Sequence, residues 1–110
     1  MPLYMYQAAY TGESWAAQLK NPQNRVEAVG RAACEAVGGK LVGSWYCFGE
    51  YDLVLIADLP NNEAMSAIAV AIAAGGALKA GKTTVLMSGA EGVSAFKKAD
   101  AVAKIYKPAR

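Results

Sequence analysis

Tyr51-Asp52-Leu53-Val54-Leu55-Ile56-Ala57-Asp58-Leu59 is the stretch on which the fold turns. No polar residue interrupts residues 53–57, so a strand with its period of two presents Leu53, Leu55 and Ala57 to one side and Val54 and Ile56 to the other. A strand that is apolar on both faces belongs in the middle of a sheet, covered on each side. Pro60-Asn61-Asn62 closes it, and Gly49-Glu50 joins it to an earlier strand over residues 40–48, which are rich in β-branched and aromatic side chains. The two form a hairpin.

Upstream, the aromatic-rich residues 3–10 read as a first strand that stops at Thr11-Gly12. A short helical piece over residues 14–20 ends at Asn21-Pro22, because the residue before proline is pushed out of the α region. Residues 22–37 form the next helix, with Val26, Val29, Ala33 and Val37 as one apolar stripe, and Gly38-Gly39 supplies its left-handed stop. Downstream, Met65, Ile68, Ala69 and Ile72 mark a helix over 62–79, followed by a last strand over 83–88 and a C-terminal helix over 94–105. This β-α-β-β-α-β order with an added helix is the split arrangement of a ferredoxin-like α+β protomer with a four-stranded antiparallel sheet. Its helices pack on one sheet face. The other face is apolar along the middle strand and needs a cover, for which a second copy of the chain is the first expectation and the C-terminal helix, through Val93, Phe96, Val102 and Ile105, the second.

Composition narrows the chemistry. The 110 residues make one domain, 55% hydrophobic and 18% charged, in the range of globular proteins. Because 23 residues are Ala, only about a third of the chain carries larger apolar side chains; the core is thin-walled, and its helices can approach their neighbours closely. There is no His, which removes Ser-His-Asp and Cys-His catalysis and the commonest metal and haem ligand, so no metal or cofactor is expected. A net charge of +2 is too even for sequence-independent nucleic-acid binding, and the five positive residues after position 96 read as a solvated helix face and terminus. Cys34 and Cys47 match neither a zinc nor a redox spacing and read as small core residues. With no secretory pattern at Met1-Pro2-Leu3 and no apolar run long enough to span a bilayer, the expected compartment is the cytoplasm, without a membrane partner.

Residues 76–83, Gly76-Ala77-Leu78-Lys79-Ala80-Gly81-Lys82-Thr83, satisfy the phosphate-loop formula letter by letter. The context is reversed: a helix precedes the loop and a β-branched strand follows, so no helix N-terminus is aimed at a phosphate. The segment therefore reads as a helix-to-strand loop. The aromatic and acidic residues are better candidates for a site. Asp52 either accepts amide hydrogen bonds that close the hairpin or, with Tyr51, stands at the mouth of an apolar cavity. Asp58 shares its parity, about 20 Å away at ~3.3 Å per residue, too far to form a carboxylate pair with it. Tyr6 on the first strand and the adjacent Trp45 and Tyr46 on the second complete the candidates, as cavity wall or subunit interface.

Gly49-Glu50-Tyr51-Asp52 resembles the GYD-domain family, named for that hairpin. Tyr10-Thr11, Leu19-Lys20-Asn21-Pro22, Gly38-Gly39-Lys40-Leu41, Trp45-Tyr46 and a basic residue before Thr83-Thr84 follow in the family's order. The resemblance covers residues 4–88; Asp58 stands where the family usually has Glu, and residues 75–81 carry extra Gly and Lys. It implies a single GYD-like domain over 1–110, with a core at 3–88 and a helical extension at 91–110, of the dimeric α+β barrel type and without an assigned biochemical role. The expectation is a cytoplasmic homodimer or higher oligomer that binds a small organic molecule in an aromatic-lined cavity between sheet faces. Similar barrels host cofactor-independent oxygenases, isomerases and cyclases, which makes catalysis the alternative, and a ligand-free structural or stress-associated oligomer a third.

Overall fold

Alternating side chains near the start of the chain produce β1 (Leu3–Tyr10) in the computed structural model, which describes residues 1–110. Thr11 turns the chain: its hydroxyl accepts the Ser14 amide at 3.1 Å and starts α1 (Gly12–Lys20). Pro22 falls in the gap before α2 (Arg25–Ala36), which ends where Gly38, at φ 83°, takes the left-handed conformation and Gly39 donates back to the Cys34 carbonyl at 2.9 Å. Gly39 lies against the Asp58 backbone, where any side chain would collide, so this turn requires glycine twice. The hairpin follows as β2 (Lys40–Tyr46) and β3 (Leu53–Asp58). Asn61 caps α3 (Asn62–Ala74) through the Ala64 amide, and the buried Tyr4 hydroxyl donates to Asn62 Oδ1 at 2.6 Å, tying that helix start to β1. The chain ends in β4 (Leu78–Leu86) and α4 (Gly89–Ala103), the latter opened by a reciprocal Ser88–Glu91 capping box.

The strands assemble in the order β2-β3-β1-β4, every neighbour antiparallel. This is the ferredoxin-like α+β sheet, with the apolar β3 inside as its sequence requires. Register settles the faces. Tyr4, Tyr6 and Ala8 sit opposite Ala57, Leu55 and Leu53, and all six are buried beneath α2 and α3 together with Val26, Cys34, Leu59, Met65 and Ile68. The opposite face carries Leu3, Met5, Val54, Ile56 and Trp45, of which Val54 and Ile56 are only half-buried and Trp45 is exposed. Its apolar residues have no cover within the chain.

Several boundaries shift by one to three residues from the sequence reading, α2 starting at Arg25 rather than 22, and three shift by more. The helix over 62–79 stops at Ala74, and the strand placed at 83–88 already begins at Leu78. Ala80, Gly81 and Lys82 have weak strand propensity, but their pairing with Ala9, Ala8 and Gln7 of β1 overrides it. The C-terminal helix begins at Gly89 rather than at 94, because the Ser88 cap starts it. Nor does α4 cover the open face: it buries no residue, and Phe96, Val102 and Ile105 are exposed. The helices do not close on one another either. α2 packs on β2 and β3 and α3 on β4, with almost no contact between the two helices, so the abundance of Ala leaves a gap where close approach was expected.

Candidate functional site

That gap is a cleft of about 690 Å³ between α2 and α3, floored by the sheet. Tyr6, Leu55 and Ala57 form the floor; Val26, Val29 and Ala33 line it from α2, and Met65, Ile68 and Ile72 from α3. Eighteen of its 21 lining residues are hydrophobic, which makes water a poor occupant and an apolar body a good one. Local sequence explains the width. Gly30 lets α2 lie down on the sheet, with Leu55 and Leu41 carbons at 3.4 and 3.5 Å from the position a side chain would take. Where the helices face each other, Ala28 and Ala32 on α2 and Ala71 and Gly75 at the end of α3 are too short to meet.

Polar groups are few and concentrated. Tyr6 is 5% exposed, its ring crosses over Gly81 of β4, and its hydroxyl makes no hydrogen bond within the chain. Tyr10, equally buried, packs edge-on against Trp15 with ring centroids 5.0 Å apart, and its hydroxyl is likewise unpartnered. Burial pushes both phenols up from their ordinary value; at Tyr10 the neighbouring Tyr46 and Asp52 add to that shift while Arg25 opposes it. Arg25 is the one charged residue lining the cleft, and no carboxylate pairs with it. Cys34 lies buried in the wall, its thiol pushed up by burial and then by Glu35, so it is a core residue rather than a nucleophile.

A second, polar cavity of about 410 Å³ adjoins the cleft. Gln18, Asn21 and Gln23 line it, and it shares Arg25, Gly75 and Ala77 with the cleft. The Thr11 amide donates to the Ala77 carbonyl at 3.0 Å and so holds the turn after α3 beside the β1–α1 corner, at the seam of the two cavities.

The six residues singled out from sequence do not gather in one place. Tyr6 is in the cleft floor. Tyr46 points to the same sheet face, half-exposed, with its hydroxyl donating to the Gln23 carbonyl at 3.4 Å. Trp45 is on the open face, folded over Gly43. Asp58 is also there, opposite Leu3 and Lys40, with a buried Oδ1 that has no hydrogen-bond partner. Tyr51 stands half-buried in the hairpin loop, its carbonyl accepting the Cys47 thiol at 3.2 Å.

Asp52 does the work of a strand end. Its carboxylate accepts the Tyr10 amide at 2.8 Å, its own amide donates to the Ala8 carbonyl at 2.8 Å, and its carbonyl accepts the Cys47 amide at 2.8 Å. The β1–β3 ladder stops at Ala8–Leu53 and β1 is irregular between Ala9 and Tyr10, so the aspartate replaces the backbone partner Tyr10 would otherwise lack. The phosphate-loop letters lie mostly inside β4, with Gly76 in the preceding turn at φ 74°. No grouping of three or more Cys, Asp or Glu side chains could hold a metal ion, and no helix is long and apolar enough to cross a membrane.

The cleft itself escaped the sequence reading. Its only signal there was the alignment of small residues on facing sides of two helices, which composition alone reads as close packing.

A sequence profile described as GYD domain matches residues 4–96. No curated protein matches the chain in sequence. Among solved structures, FFRP-DM1 is 11% identical, with a TM-score of 0.52 over 79% of this chain and 100% of its own. TTHA0845 from Thermus thermophilus is 18% identical, with a TM-score of 0.52 over 80% of this chain and 95% of its own. An uncharacterized NIPSNAP domain protein from Burkholderia xenovorans is 16% identical, with a TM-score of 0.51 over 82% and 96%. At these identities the likeness is one of fold.

Proposed function

The chain belongs to the GYD-domain family, and from that premise we propose that it is a cytoplasmic binding protein for a small, largely apolar molecule, held in the cleft between α2 and α3. One observation carries the reading: an apolar cleft of about 690 Å³, within the size range of small-molecule sites, is lined by hydrophobic residues at 18 of 21 positions and by the rings of Tyr6 and Tyr10, whose hydroxyls make no hydrogen bond within the chain. Those two hydroxyls are free to hydrogen-bond to a ligand in the cleft. The open sheet face then serves a different purpose. Leu3, Met5, Val54, Ile56 and Trp45 form an apolar surface that α4 leaves bare, and we assign it to a second copy of the chain, so that the ligand sits on the helix side of each subunit rather than between the sheets.

Titration with Nile red, an uncharged apolar dye whose emission rises and shifts to the blue in apolar sites, tests this. Saturable binding of one dye per chain is expected. Ala32→Phe and Ala71→Phe, at exposed helix positions that face into the cleft, should abolish it while leaving helix content and melting unchanged. Dye binding that persists in both variants places the apolar site elsewhere and refutes the assignment.

A further inference from the structure

We propose that the molecule bound in the α2–α3 cleft is an amphipathic carboxylic acid, its apolar body lying along the cleft and its carboxylate at Arg25; this rests on the reading of the cleft as a binding site. Two cavities of opposite chemistry meet along one seam. The larger is hydrophobic on 18 of its 21 lining residues, whereas the smaller has only 2 hydrophobic residues among 11. Arg25, Gly75 and Ala77 belong to both, so a molecule filling the cleft has its end at a polar, solvent-open pocket beside the exposed Arg25.

The groups at that seam select for a negative oxygen-bearing end. Arg25 stands at the first position of α2 with no ion pair, whereas Arg31, further along the same helix, is already held by Glu27 at 2.7 Å. A guanidinium presents parallel N–H donors that match both oxygens of a carboxylate. The side-chain amides of Asn21 and Gln23 have no hydrogen-bond partner in the chain and can serve the same head. The Tyr10 phenol lies within the field of Arg25 at the mouth and Tyr6 lies in the floor, giving donors along the apolar run. Glu13, in the first turn of α1, is the one acidic group along the polar chamber, and it forms no salt bridge with Arg25. An uncharged lipid-like alcohol would fill the cleft equally but leave the guanidinium unused.

Isothermal titration of the full chain with dodecanoate and with dodecanol, each below its aggregation limit, separates the possibilities. Dodecanoate should bind about tenfold more tightly than dodecanol, the increment of a hydrogen bond to a charged group. Arg25→Gln should remove that advantage and leave dodecanol binding where it was. Ala71→Phe should weaken both. Equal binding of the two probes, unchanged by Arg25→Gln but lost in Ala71→Phe, overturns the carboxylate assignment while the cleft stands. Failure of both probes to bind the wild type overturns the cleft reading as well.

Discussion

At the scale of single residues, Asp52 shows how a polar side chain can complete a sheet. Three backbone groups, two from the end of β1 and one just past the end of β2, converge on it, so Asp52→Ala should leave the Tyr10 amide unpaired and lower unfolding stability by about 1–2 kcal/mol in urea titrations. A ΔΔG near zero would mean that water replaces the carboxylate. The sequence already carried both of its readings, because an aspartate at a hairpin is competent for either; the position of Tyr10, set by an irregularity in β1, supplies the partner that the turn-closing reading needs. Tyr6, Tyr10 and Cys34 make a second statement. Burial raises all three above their ordinary values of 10.0, 10.0 and 9.0, so the folded chain holds these protons more tightly than the unfolded chain does. Their contribution is complete below those values and is lost as pH rises beyond them, because ionisation then favours unfolding. The melting temperature should be level from neutrality to about pH 9 and fall above it, with a shallower fall in Tyr6→Phe. A melting temperature that holds to about pH 11 contradicts the burial of these groups.

At the scale of elements, legibility followed the strength of the local signal. β1 and β3 were plain because short aromatic or β-branched apolar runs bounded by turn residues read as strands, and α2 was plain because its stripe ends at a double glycine. β4 was half-hidden. Its first residues, Leu78-Lys79-Ala80-Gly81-Lys82, extend a helical-looking composition, and only long-range pairing with β1 makes them a strand. The same pairing disposes of the phosphate-loop letters: Gly81, Lys82 and Thr83 are laddered opposite Ala8, Gln7 and Tyr6, so their amides cannot curl around a phosphate. Lys82→Ala should accordingly melt like the wild type with or without magnesium ATP, and a thermal shift of several degrees by ATP in the wild type alone would reverse this conclusion. The α2–α3 cleft was the least legible element-level feature. Alanine at a facing position permits both contact and separation, and which one occurs depends on where Gly30 seats α2 and where Leu78 and Tyr10 bring the end of α3.

At the scale of the whole molecule, the chain divides its apolar surface between two tasks. One sheet face packs beneath α2 and α3 around a cleft; the other presents Leu3, Met5, Val54, Ile56 and Trp45, while α4 extends a molecule 59 Å long with Phe96 and Ile105 in the open. Leaving such side chains in water forgoes about 1.5–3 kcal/mol each, a large fraction of the 5–15 kcal/mol that holds a domain together, which is why we place a second copy on the sheet. That division was half-visible in the sequence: two apolar faces on one strand could be read, but not which face would house a ligand. Native mass spectrometry of chain purified without denaturant or detergent tests the central claim, that each subunit's cleft holds a small apolar molecule. The expected result is an assembly of 11.5 kDa chains in which every chain carries one additional small organic mass, released on denaturation, or takes up one dodecanoate per chain on incubation. Chains that emerge bare and remain bare after that incubation contradict it.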